Sequence, residues 1–184
     1  LVGTNSNIIK GCYATGSANG MYYVGGLVGY NNESIIAGCY ATGSVNGGGY
    51  VGGLVGNNDY GTINFSYSTG VVSGITSVGG LVGGGYSSVN FSFWDIQASG
   101  LTISDGGTGK TTEEMKTLST FTNVGWDFIC ENDGAGDWVM PEDDYPKLAW
   151  EIYPLVSVPD LHGLTIEQAQ SVLIAAGLIP GETH

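Results

Sequence analysis

One string of 22 residues is written three times in this chain, and the copies stand 27 residues apart. "IIKGCYATGSANGMYYVGGLVG" at 8–29 returns as "IIAGCYATGSVNGGGYVGGLVG" at 35–56 and, more loosely, as "TINFSYSTGVVSGITSVGGLVG" at 62–83. Cys12, Cys39 and Ser66 correspond, as do Leu27, Leu54 and Leu81. A fourth copy begins at "SVNFSFWD", 88–95, and then departs. The opening "LVG" reads as the tail of an earlier copy, so the protein is expected to extend upstream. A fixed period of this length specifies a stack in which no single unit buries its own apolar face.

Each copy holds three strand-like pieces, around Ile8–Ile9, Cys12–Ser17 and Val24–Val28, separated by Gly and Asn. This pattern predicts an all-β fold, a parallel β-solenoid of about 27-residue coils with three sides per turn over residues 1–95. Equivalent residues then lie one above another at the strand spacing of about 4.8 Å. The expected ladders are Ile9, Ile36, Ile63 and Val89; Ala14 and Ala41; Val24, Val51 and Val78; and Leu27, Leu54 and Leu81. Side chains alternate across a strand. The small Ala14 and Ala41 suit a narrow interior, so Cys12 and Cys39 are assigned inward and Tyr13, Tyr40, Tyr67 and Phe93 outward. That aromatic row is either a stack that stiffens the sheet or a surface for a partner. Cys12 and Cys39 fall within disulfide range on adjacent coils, but parallel side chains on stacked rungs suit the bond badly, and a reduced pair is expected.

Charge divides the chain in two. Residues 1–94 hold two acids and one lysine, whereas residues 95–184 hold fifteen acids and three lysines, within a total of −13 and no arginine. So few cations exclude recognition of a nucleic-acid backbone. No apolar run is long enough to span a bilayer, so no membrane insertion is expected in this segment. The start carries no basic and apolar leader pattern.

Residues 96–155 read as a C-terminal cap. "SDGGTGKT", 104–111, imitates a phosphate-binding loop, but Ser104 stands where the first glycine is required. Thr111 and Glu114 form a capping box for a short helix over Thr112–Leu118, and Glu113 and Glu114 put carboxylates where a phosphate would sit. An open solenoid end must be covered. Trp94, Phe121, Trp126, Phe128, Trp138, Tyr145 and Trp150 supply the bulk.

The loop "CENDGAGDWVMPEDD", 130–144, gathers Glu131, Asp133, Asp137, Glu142, Asp143 and Asp144. A solvated acidic turn is the primary reading. Ca²⁺ on Asp133, Asp137, Asp143 and Asp144 is the alternative, although the helix–loop–helix spacing for that ion is not met. Sugar hydrolysis needs two carboxylates at a set separation in a cleft, and the repeat half offers almost none. His162 and His184 do not complete a triad or a zinc site. No catalytic residue and no cofactor is therefore assigned. Cys130 has no evident thiol partner.

The "GGLVG" cores at 25–29, 52–56 and 79–83, with "GCYATGS" beside them, resemble the GLUG motif. That resemblance covers residues 1 to about 95 and implies a large secreted or surface-attached, adhesin-like bacterial protein. "GGTGKTTEEMKTLSTFTNVGWDF" through "YPKLAW" is similar to the segment that follows the last such repeat. "VPDLHGLTIEQAQSVLIAAGL", 158–178, resembles the opening strand and helix of a PASTA domain, with a Thr165-x-x-Gln168 capping box. It makes residues 156–184 a partial α/β segment, for which the resemblance implies an extracellular spacer or a peptidoglycan contact. The expected function is a non-catalytic structural or adhesion module, a stalk, spacer or fibre subunit, whose partners are cell-surface or extracellular polymers or other copies of itself. Self-pairing would use the edge near Val2 and Ile8–Ile9. The alternative is a carbohydrate-binding or carbohydrate-cleaving solenoid.

Overall fold

The computed structural model describes residues 1–129, 137–153 and 159–176. They fall into two compact units, Leu1–Leu148 and Ala149–His184. The first unit is a parallel β-solenoid, and the 27-residue step survives in its hydrogen bonds. Ile9 pairs with Ile36 and Ile36 with Ile63 at that step, and Ile63 pairs with Val89 one residue short of it. Val24, Val51 and Val78 stack likewise.

Each coil has four strands rather than three. In one full coil they are Val28–Asn32, Ile35–Ala37, Tyr40–Ala41 and Val45–Gly52. The stretch expected to run straight from Val24 to Val28 is broken after Gly25 by a corner. Close backbone approach makes that corner. A Cβ on Gly53 would lie 2.2 Å from the carbonyl oxygen of Gly80 and 2.8 Å from Ser68 Oγ, so only glycine fits between the stacked turns. Four parallel sheets result, and Thr108–Lys110 adds a further strand beside Phe93–Asp95.

The interior is aliphatic. Leu27, Leu54, Leu81, Val28, Val55, Val82, Ile36 and Ile63 form one buried cluster with Cys39 and Ala41. Burying each such aliphatic side chain is worth roughly 1.5–3 kcal/mol. Trp94, expected among the covering residues, instead belongs to this core. It occupies the rung position of Ala14, Ala41 and Ser68. The indole therefore plugs the last coil, and its Nε1 donates to the carbonyl of Leu101 at 3.0 Å.

A polar ladder runs beside the aliphatic one. Asn5 Nδ2 donates to Asn31 Oδ1 at 2.7 Å, and Asn31 Nδ2 donates to Asn58 Oδ1 at 2.7 Å. Ser34 Oγ also donates to Asn31 Oδ1, at 2.6 Å. Asn31 and Asn58 are fully buried. Buried amides are tolerated because each rung satisfies the next.

The cap folds over one outer face. Thr111 and Glu114 form the expected capping box, but the helix ends at Met115 and a second one runs Leu118–Thr122. Trp138–Val139 pairs antiparallel with Lys147–Leu148. Met115, Phe121, Trp126, Phe128, Trp138 and Leu148 cluster with Tyr40, Tyr67 and Phe93.

Asp95 ties the two layers together. One carboxylate oxygen accepts from the backbone N–H groups of Gln97 and Ala98, and the other accepts from the hydroxyls of Thr112 and Tyr145, both at 2.7 Å.

In the second unit Thr165 and Gln168 close the expected capping box of a helix over Ile166–Ala175, none of whose residues is buried. Trp150, expected in the cap, belongs to this unit.

Candidate ligand groove

The aromatic row read from the repeats exists. Tyr13 stacks on Tyr40 at 5.2 Å between ring centroids and Tyr40 on Tyr67 at 4.9 Å, with the ring planes nearly parallel. These rings point away from the solenoid interior, opposite to Cys39, as alternation requires. As a partner surface the row needs correction. Tyr40, Tyr67 and Phe93 are buried beneath the cap, and only Tyr13 is exposed, at 39%. The chain supplies its own occupant because Trp126 and Trp138 lie against Tyr67 and Pro146 accepts its hydroxyl.

The acidic candidates among the described residues do not converge. Asp133 lies outside the described residues. Asp137 pairs with Lys10 at 3.8 Å, Asp144 pairs with Lys147 at 3.6 Å, and Asp143 occupies a left-handed turn. Among the described residues no three His, Cys, Asp or Glu side chains gather to hold a metal. Lys110 of the phosphate-loop imitation is taken by Glu114 at 3.1 Å. Hydrogen bonding from the Thr111 backbone, and then Lys110, hold the Glu114 carboxyl below its usual range. Cys12 and Cys39 are both free thiols, and burial pushes the pKa of Cys39 up to about 12.

A different place has the geometry of a site. A groove of about 780 Å³ is lined by Tyr23, Tyr30, Tyr50, Asn57, Asp59, Tyr86 and Asp105, among others. Its volume falls within the range of small-molecule sites. Repetition builds it and a change in side-chain size opens it. Thr4, Tyr30, Asn57 and Gly84 share one rung position, so the side chain dwindles from a phenol to nothing along the last three coils. Tyr23, Tyr50 and Ser77 form a neighbouring series at the 27-residue step, all with φ near +50°. That conformation costs a non-glycine residue roughly 1–2 kcal/mol. The third glycine of each "GGLVG" accommodates it, since a Cβ on Gly56 would lie 2.6 Å from the carbonyl carbon of Tyr23. The tyrosine rings lie face to tilted face, with Tyr23 5.3 Å from Tyr30 and 5.2 Å from Tyr50.

Acceptors lie among these rings. Tyr30 donates its hydroxyl to Asp59 at 2.9 Å. That bond, with burial after it, raises the pKa of the phenol. Burial also pushes the Asp105 carboxyl up. Asn57 is only 8% exposed, and its Oδ1 has no hydrogen-bond partner. Neighbouring Ser104 is committed to the fold, because its Oγ accepts from the backbone N–H groups of Leu81 and Val82. Sequence reading passed over Tyr23, Tyr50, Asp59 and Asp105. The 27-residue recurrence of tyrosine just before "VGGLVG" was the available signal for the first two.

Comparison with known proteins agrees with the repeat. Residues 20–46 match the family described as "The GLUG motif". Over 67 residues the chain is 40% identical to a protein of Evansella cellulosilytica described as "Putative Gly-rich membrane protein". The match takes in 34% of this chain and 7% of that relative, so the chain spans a small fraction of its relative's length. No solved structure matches. Among the described residues no helix is long and apolar enough to cross a membrane. The motif match and the hydrogen-bond register agree with each other: the residues that match the GLUG motif, 20–46, lie within the parallel β-solenoid.

Proposed function

We propose that the chain is a non-catalytic structural and adhesion module, a stalk or spacer within a secreted or cell-surface protein. The observation that carries this reading is the coil-to-coil register, in which each of the four parallel sheets continues through successive copies. Such a stack is stiff along its length and repeats its outer surface at each rung, which suits a spacer. A relative described as a membrane protein, in which the matching region is a small part of the length, supports a place within a larger surface chain. The partners are extracellular or cell-surface polymers, with peptidoglycan the polymer implied by the PASTA-like start near Thr165. Immunogold labelling of the intact protein on unpermeabilised cells tests the location, and labelling confined to the cell interior overturns it. Incubation of the chain with cell-wall and plant polysaccharides tests the non-catalytic part. Release of reducing sugar that is abolished by Asp59→Asn or Asp105→Asn makes the protein a hydrolase instead.

A further inference from the structure

We infer that the tyrosine groove is a binding site for a neutral oligosaccharide. The inference rests on the adhesion reading and gives that reading its contact surface. Four tyrosines face the groove and no lysine lines it, while Asp59, Asp105 and the amide of Asn57 all present oxygen acceptors. A ligand for this set must bring hydroxyl donors to the carboxylates and an apolar C–H face to the rings. Sugars without acidic groups do both. Phosphate, sulfate and uronic acids are repelled by two carboxylates in a chain of net charge −13.

Asn57 is the observation that points to a missing partner. A buried amide oxygen with no donor is costly, whereas the neighbouring ladder of Asn5, Asn31 and Asn58 is paired from rung to rung. The Cβ that Gly84 lacks would lie 3.0 Å from the Tyr50 ring and 3.8 Å from Asn57 Oδ1. The ring and the orphan oxygen therefore border the same small gap. A sugar hydroxyl entering there satisfies Asn57 while the pyranose face packs on Tyr50. The backbone at Gly84 is not left-handed, so alanine is compatible with its conformation, and its Cβ presses on the Tyr50 ring, which must give by a few tenths of an ångström.

The test titrates the 184-residue chain with cello-, xylo-, manno- and chitohexaose, with the hexamer of glucosamine, and with hexagalacturonate, by calorimetry. At least one neutral hexasaccharide should bind. Tyr50→Ala and Gly84→Ala should each weaken that binding at least about tenfold, a loss of about 1.4 kcal/mol. Asn57→Ala should weaken binding as well while leaving the thermal midpoint near that of the parent, because it deletes a polar atom that the fold does not pair. Absence of binding to every neutral hexamer overturns the inference, as does binding that survives both Tyr50→Ala and Gly84→Ala in folded protein. Preference for hexagalacturonate overturns it too, and binding of the glucosamine hexamer alone replaces it with a cation cage. Cell-surface labelling without sugar binding removes the groove and leaves the stalk; sugar binding by a protein found only inside the cell does the reverse.

Discussion

Cys12 and Cys39 carry the same repeat position into opposite environments, because one sits on an exposed coil and the other is fully buried. Iodoacetamide should therefore label Cys12 in the native protein and leave Cys39 untouched until the stack unfolds, as peptide mass spectrometry would show. The buried thiol also sets an alkaline limit. Folded Cys39 keeps its proton to about pH 12, whereas in the unfolded chain it is lost near its ordinary value of about 8.5. Between those values the folded state binds the extra proton, so stability falls as pH rises. Tyr145, also pushed up to about 12, first by burial and then by its hydrogen bond to Asp95, adds the same sign from about pH 10 upward. Urea midpoints measured from pH 8 to 11 should decline, and Cys39→Ala should flatten the decline at its lower end. Asp95 is the more consequential single residue. Asp95→Ala removes the acceptor of four hydrogen bonds and leaves the Tyr145 and Thr112 hydroxyls without it. We expect a loss of about 3–5 kcal/mol, since bonds to a charged acceptor are worth about 1.5–3 kcal/mol each and do not add fully. Tyr145→Phe should cost less than half of that by the same denaturant measurement.

Among the elements, the amide ladder is the sharpest test of how a coil is held to its neighbour. Asn31→Leu strips Asn5 and Asn58 of a partner at once and should cost about 2–4 kcal/mol in urea unfolding, on the scale of one to two unsatisfied buried groups. A smaller loss than Ile36→Ala produces would mean that aliphatic packing alone sets the register. The ladders of Ile36, Leu54 and Val51 were legible in the sequence, because a 27-residue step forces equivalent residues onto one line. The number of strands per coil was not. The apolar run from Val24 to Val28 looks continuous, and only the approach of Gly80 to Gly53 makes it a corner. The cap over Tyr40 and Tyr67 was half legible. Its aromatic bulk is plain in the composition, but Trp126 and Trp138 bear no repeat relation to the tyrosines they cover, so nothing in the pattern says which face they choose. The groove was hidden for a conformational reason. Tyr23 and Tyr50 have left-handed backbones, which strict strand alternation does not anticipate.

For the whole molecule, the aliphatic core around Leu54 runs through successive coils, so one charge placed in it acts on more than its own coil. Leu54→Asp buries a carboxylate in the row between Leu27 and Leu81, at a cost of several kcal/mol. Domains of this size are stable by about 5–15 kcal/mol. Far-UV circular dichroism of that variant should lose its β signature at temperatures where the parent keeps it, whereas a native spectrum would mean the coils are stable independently of one another. The four first strands, from Val2–Asn5 to Ala18–Gly25, lie at the ends of their sheets. Light scattering at rising concentration reports whether copies join there. At the opposite end Ile103 and Asp105 continue the hydrogen bonding from Gly80 and Val82. The asparagine that donates upward and accepts from below has an evolutionary corollary. A coil bounded by two such residues carries its own connectors, so duplicating 81 nucleotides of coding sequence adds a complete rung with no new fitting at either joint. Length then becomes a heritable variable that recombination between near-identical copies can turn up or down in steps of about 4.8 Å, a molecular ruler whose graduations are written in the DNA.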